Sequence, residues 1–188
     1  MTISYQGDNY FKIQNGNDVI LIDPTNARSL KGATAVVLTT LPPVLPVSLE
    51  GGLVVEHQGE YETKGIHIEG WSVGQDNRTE KTIYRIRWDD VVIGILGYLA
   101  KEPDPKILLA LNGCDVVIIP AGGSPNILQS SAAKLVRQIE PSIVIPSLFK
   151  DPKPFIKEFG GDETKEEKLT IKKKDLVPHA MKVVLLSS

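Results

Sequence analysis

The chain has a single cysteine, Cys114, among 188 residues. No internal disulfide can form, which fits a reducing compartment. Lying just ahead of the apolar run Val116-Val117-Ile118-Ile119, this cysteine reads as a buried structural thiol. Long apolar runs are also missing, and none approaches the ~20 residues that a membrane helix requires. The first residues carry no basic segment leading into an apolar stretch, so nothing there reads as a signal peptide. The sequon Asn77-Arg78-Thr79 is accordingly read as a chance match. Charge of one sign is absent as well. With 21 Lys and Arg against 23 Asp and Glu, the formal charge is −2, which gives no electrostatic case for nucleic acid. Ser130, Ser131 and Ser147 have no base marked out for them. These absences lead to the expectation of a cytoplasmic domain without a nucleic-acid or membrane partner. What is present is a hydrophobic content of 41%, enough to bury a sizeable core, in a length that fits one domain over residues 1–188.

Periodicity divides the chain into two halves. Short β-prone runs fill the first, at residues 3–5, 10–14, 19–23, 36–39, 53–56, 66–73, 82–88 and 91–96. Asn15-Gly16 marks a hairpin because both residues tolerate positive φ, and Asp89-Asp90 marks another turn. The second half alternates. A helix is expected over 105–112, stopped by Gly113, and a buried strand over 116–119. Ser124 and Pro125 then read as N-cap and first helical residue. The helix they open would carry Leu128, Ala132, Leu135 and Ile139 on one face and end at Pro141. A strand over 142–145, a helix over 153–159, a solvated connection over 162–168 and a strand over 182–186 complete the reading. Strands first, then helix–strand alternation, imply two sheets with helices outside them.

Several motifs carry a more specific likeness. Tyr5-Gln6-Gly7-Asp8-Asn9-Tyr10 precedes Val19-Ile20-Leu21-Ile22-Asp23-Pro24. Gly59-Glu60-Tyr61-Glu62 stands before Lys64-Gly65-Ile66, and Pro120-Ala121-Gly122-Gly123 follows a buried strand. In this order and spacing, the chain resembles the metallo-β-lactamase-fold hydrolases, in particular the small single-domain branch that includes ascorbate-6-phosphate lactonase-type proteins. The resemblance covers nearly the whole chain. It implies a four-layer αββα sandwich and a metal-dependent hydrolase activity.

The same resemblance implies metal ligands that this chain does not carry. Asp8 stands where the family often has histidine. The central signature Thr/Ser-His-x-His-x-Asp-His should follow strand 35–38, but the chain reads Thr39-Thr40-Leu41-Pro42-Pro43-Val44-Leu45. Thr40, Pro42, Val44 and Leu45 therefore take the four ligand positions. Gln75 and Asp76 replace a histidine–aspartate pair, and Tyr98 follows Gly97 where the family has a metal-bridging aspartate. Pro146-Ser147-Leu148-Phe149 stands for Pro-x-His-Tyr. A metal needs lone-pair donors at fixed geometry, and the central segment offers neither imidazole nor carboxylate. The expectation is a site with no metal, no cofactor and no catalytic residue. Asp8, Asp23, Thr40, Pro42, Leu45, Tyr98 and Leu148 would converge there as vestigial positions, the void refilled by apolar packing.

The remaining candidates each have a plain reading and a functional one. His57, His67 and His179 lie far apart and outside the motif positions, as surface or satisfied strand histidines do. Asp23 is either a relic of a metal site or an acceptor that fixes its loop. Asp8, Glu60 and Glu62 would form an acid–base cluster only if the fold brings them together. Gly122-Gly123-Ser124 is a tight turn or, if it opens a helix, an anion site to which Lys150 adds positive charge. Three functions stay open: a non-catalytic binding or assembly role; a metal-dependent hydrolase of a lactone, ester or phosphoester with another ligand set; and a small-anion or phosphometabolite binder at the diglycine turn. The first would use a surface, most often as a homo-oligomer. Trp71, Tyr84 and Trp88 are its aromatic candidates, unless they pack within the sheets.

Overall fold

A computed structural model describes residues 1–76 and 78–188. Asn77 of the sequon and the side chain of Asp76 lie outside the described residues. In chain order the strands are β1 (Thr2–Tyr5), β2 (Phe11–Asn15), β3 (Asp18–Ile22), β4 (Ala35–Val37), β5 (Thr40–Leu41), β6 (Leu53–Val55), β7 (Gly59–Thr63) and β8 (Ile66–Asp76). They continue as β9 (Thr79–Trp88), β10 (Val91–Ile95), β11 (Val116–Pro120), β12 (Ile143–Ser147), β13 (Thr164–Glu166), β14 (Lys168–Thr170) and β15 (Lys182–Leu186). The helices are α1 (Pro105–Ala110), α2 (Gln129–Ile139) and α3 (Lys153–Lys157).

Two mixed sheets pack face to face. One runs β14-β1-β2-β3-β4-β6, the other β13-β15-β12-β11-β10-β9-β8-β7, with β5 attached to β9. Alternation decides which side chains meet between them. Ile3, Phe11, Ile13, Ile20 and Ile22 from the first sheet face Ile68, Ile86, Ile93, Val116 and Ile118 from the second. Strand β11 is buried at every position. Val116 and Ile118 point into the inter-sheet core, while Val117 and Ile119 point outward to Ala132, Leu135, Val136 and Ile139 of α2. A strand covered on both faces reads as an unbroken apolar run for this reason.

The molecule is thus an αββα-type sandwich, with unequal outer layers. The three α-helices lie on the second sheet. The outer face of the first is covered by a 3₁₀ turn, Ala27–Leu30, whose N–H at Arg28 is capped by Asn26 Oδ1 at 2.9 Å. Val47 and Leu49 of the loop before β6 complete that layer over Leu21, Val36 and Leu38. Among the described residues, no helix is long and apolar enough to cross a membrane.

Several expectations are corrected. The first hairpin turns on Gly16 and Asn17, since Asn15 itself pairs with Asp18. Ser124 and Pro125 do not open a helix. The Asn126 N–H closes a turn onto the Gly123 carbonyl at 3.0 Å, and the buried Ile127 donates to Leu99 at 2.8 Å, so α2 begins only at Gln129. Leu128 precedes the helix and is 62% exposed, so it is not part of the helix's apolar face. The connection over 162–168 holds β13, parallel to β15, and the start of β14, antiparallel to β1, and so it bridges the two sheets. Residues 59–63, read only as a motif, form the edge strand β7.

Candidate functional site

The residues singled out at the ends of strands gather at one end of the sandwich. Asp23 follows β3, Thr39 follows β4, Gly97 and Tyr98 follow β10, Gly122 follows β11 and Leu148 follows β12. These are the carboxyl ends of parallel strands, β3–β4 in one sheet and β10–β11–β12 in the other, where sites in α/β folds generally form.

Asp23 is the centre of the cluster. It is 8% exposed and has φ +42°, which turns the chain sharply out of β3. Its Oδ1 accepts the Thr39 backbone N–H at 2.7 Å. Its Oδ2 accepts Asn9 Nδ2 at 2.6 Å and the Thr39 hydroxyl. Burial pushes the carboxyl up to about 6, and the bonds from Thr39 and Asn9 work against that rise. Thr39 is packed tightly from the other sheet, since a Cβ on Gly97 would stand 2.5 Å from Thr39 Cβ. Tyr98, half-buried, has its phenol pushed up to about 12, first by burial and then by the charges of Asp23, Asp8 and Tyr5.

A second clasp closes the same end. The Leu148 N–H donates to the Asp8 carbonyl at 3.1 Å, and both residues have left-handed φ, +52° and +50°. The Tyr5 hydroxyl donates to the same carbonyl at 3.2 Å. Gly122 lies against this clasp so closely that a Cβ would stand 2.1 Å from the Leu148 carbonyl oxygen. Its glycine is required by contact with Leu148.

Asp23, Tyr98, Asp8 and Leu148 are therefore brought to one place. Thr40 reaches it differently: it pairs with Lys81 in the short strand β5, so the segment that would carry the metal signature is absorbed into the second sheet. Pro42, exposed, and Leu45, half-buried, lie on the loop between β5 and β6. Glu60 and Glu62 sit on β7 at the far edge of the second sheet and do not join Asp8. His57, His67 and His179 face Glu80, Glu62 and Glu140 at 3.6, 3.4 and 3.2 Å, three separate surface pairs. Ser124 and Lys150 are exposed, and the diglycine turn does not stand at a helix start. Of the aromatic interface candidates, Tyr84 and Trp88 are core residues at 0% and 4% exposure, and only Trp71 is half-buried. Sequence reasoning missed Asn9, wholly buried, and Thr39. The available signal was a polar residue closing the apolar run of β4.

The donors do not fit a transition-metal centre. Among the described residues, no three of His, Cys, Asp and Glu converge. Asp23, the one buried carboxylate among the described residues, has both oxygens engaged by Thr39 and Asn9. The polar atoms buried here without a protein partner are Asn9 Oδ1 and Ser147 Oγ, neutral oxygens and not the imidazole, thiolate or free carboxylate that zinc takes.

The Beta-lactamase superfamily domain model matches residues 2–147. No curated protein sequence matches the chain. Among solved structures, a metallo-β-lactamase superfamily protein from Thermotoga maritima is 19% identical at a TM-score of 0.83, covering 98% of this chain and 97% of that one. The metallo-β-lactamase fold protein YhfI from Bacillus subtilis is 9% identical at 0.70, covering 98% and 91%. Igni18, a metallo hydrolase from Ignicoccus hospitalis, is 14% identical at 0.63, covering 85% and 90%. At these identities the likeness is one of fold.

Proposed function

This chain belongs to the beta-lactamase superfamily domain family, and from that membership we propose that it is a non-catalytic member, retained for binding rather than for hydrolysis. The observation that carries the reading is the state of Asp23. In a hydrolytic centre a carboxylate at a strand end must present a free lone pair to a metal or to water. Here both oxygens are held by Asn9 and Thr39 inside the protein, so the side chain is a structural acceptor that ties β3 to the segment after β4.

A hydrolase with another ligand set would need about three converging protein donors, and the strand-end positions supply Thr40, Tyr98 and Leu148 instead. The anion-binding alternative loses its helix start, because α2 opens at Gln129 and not at the diglycine turn. Metal analysis of purified protein, with a lactone, ester and phosphoester panel run with added zinc or manganese, tests the reading. The expected result is substoichiometric metal and no turnover. Stoichiometric zinc, iron or manganese, or metal-dependent turnover, would overturn it.

A further inference from the structure

Next to the end that carries Asp23 and Tyr98 lies an open cleft of about 450 Å³, within the size range of small-molecule sites. One wall is aromatic. Tyr5 and Phe149 stack nearly parallel, with centroids 6.3 Å apart and planes at 21°, and Phe11 braces Tyr5 from behind at 5.0 Å. The clasp described above holds this wall in place: the Tyr5 hydroxyl and the Leu148 N–H share the Asp8 carbonyl, and Phe149 is the next residue. Leu185 and Leu186 of β15 add the apolar floor.

The charges at the rim are unequal. Lys165 is paired with Glu163 at 3.6 Å. Glu166 and Glu167, which also line the cleft, form no ion pair among the described residues. Aromatic faces and uncompensated carboxylates around an apolar floor attract the same chemistry, since ring quadrupoles and carboxylates both favour positive charge.

We propose that this cleft binds a small organic cation, an ammonium group with apolar or aromatic substituents. The cation would lie against Tyr5 and Phe149 under Glu166 and Glu167. A free inorganic cation would leave the leucine floor unused, and an organic anion would meet the two carboxylates. The proposal rests on the non-catalytic binding role, whose own test is the metal content of the same sample.

The experiment is calorimetric titration of the full chain with benzyltrimethylammonium chloride, using sodium phenylacetate as an anionic control of similar size. Saturable one-to-one binding of the cation is expected, with phenylacetate weaker by at least about tenfold. Replacing Glu166→Gln and Glu167→Gln together should weaken the cation about five- to tenfold without changing the melting temperature, since both are at the rim. Phe149→Ala should weaken it further. If that variant melts early, Phe149→Leu keeps the apolar volume while removing the ring, and a loss of about fivefold is expected. No saturable cation binding, equal affinity for phenylacetate, or an unchanged affinity in the double glutamine variant would each overturn the proposal. Failure in protein free of metal removes only this site, whereas stoichiometric metal removes the non-catalytic reading.

Discussion

Asp23 and Thr39 are joined twice: the Thr39 backbone N–H donates to Asp23 Oδ1 at 2.7 Å, and the Thr39 hydroxyl donates to Oδ2. Through this pair the turn after β3 and the segment after β4 become one rigid unit. The Thr39 carbonyl then accepts the Thr82 N–H at 3.0 Å, which carries the connection into the second sheet. The end of the sandwich that would hold a metal is cross-braced by hydrogen bonds.

Thr39→Val keeps the shape and the backbone bond but removes the hydroxyl from a buried carboxylate. A hydrogen bond to a charged group of this kind contributes about 1–3 kcal/mol. Urea unfolding of the variant should show a loss in that range with an unchanged m-value. A loss below a few tenths of a kcal/mol would mean the brace carries no weight.

Stability should respond to pH through Asp23. Its carboxyl is near 6 in the fold against an ordinary value of 3.8, so between these values the folded state binds more protons than the unfolded one. The contribution is fully present below about pH 4 and is lost as pH rises through about 6, a total of roughly 3 kcal/mol. In Asp23→Asn, which cannot titrate, this fall should vanish. Unfolding free energies measured from pH 4 to 7 for both proteins check it, and a difference curve that is flat or rises with pH contradicts it.

Two glycines should tolerate no side chain. Gly122→Ala drives a methyl group to 2.1 Å from the Leu148 carbonyl oxygen, and Gly97→Ala drives one to 2.5 Å from Thr39 Cβ, with φ +48° adding strain. Each should destabilise by about 1–3 kcal/mol or more. Gly113→Ala, where φ is +79° but nothing lies within 4 Å, isolates the backbone component. Thermal melts should place it closer to wild type than either of the others.

Chelation should leave the fold untouched. A protein stabilised by a bound metal loses that linkage free energy when the metal is removed. With both oxygens of Asp23 engaged by Asn9 and Thr39, the melting temperature is expected to be the same with EDTA, with added zinc and with neither. A shift upward with zinc that EDTA reverses would show a site that these residues do not reveal.

Residue identity alone determined much of this protein. Ile3 and Ile13 alternate with polar neighbours, and alternation reports which face of a strand is buried, so the two sheets were legible. So was the change of chemistry at the strand ends, because Thr40, Pro42, Tyr98 and Leu148 cannot take the place of imidazoles and carboxylates whatever the fold does with them. Tertiary structure decided what those residues do instead. The pairing of Thr40 with Lys81, the anchoring of Ile127 by Leu99 that delays α2, and the capture of 162–168 by an edge of each sheet all join distant segments. A local pattern carries no record of such partners. Asn9 and Thr39 are the clearest case: as letters they are ordinary loop polars, and only the closing of two chain segments around Asp23 gives each a buried partner and therefore a role.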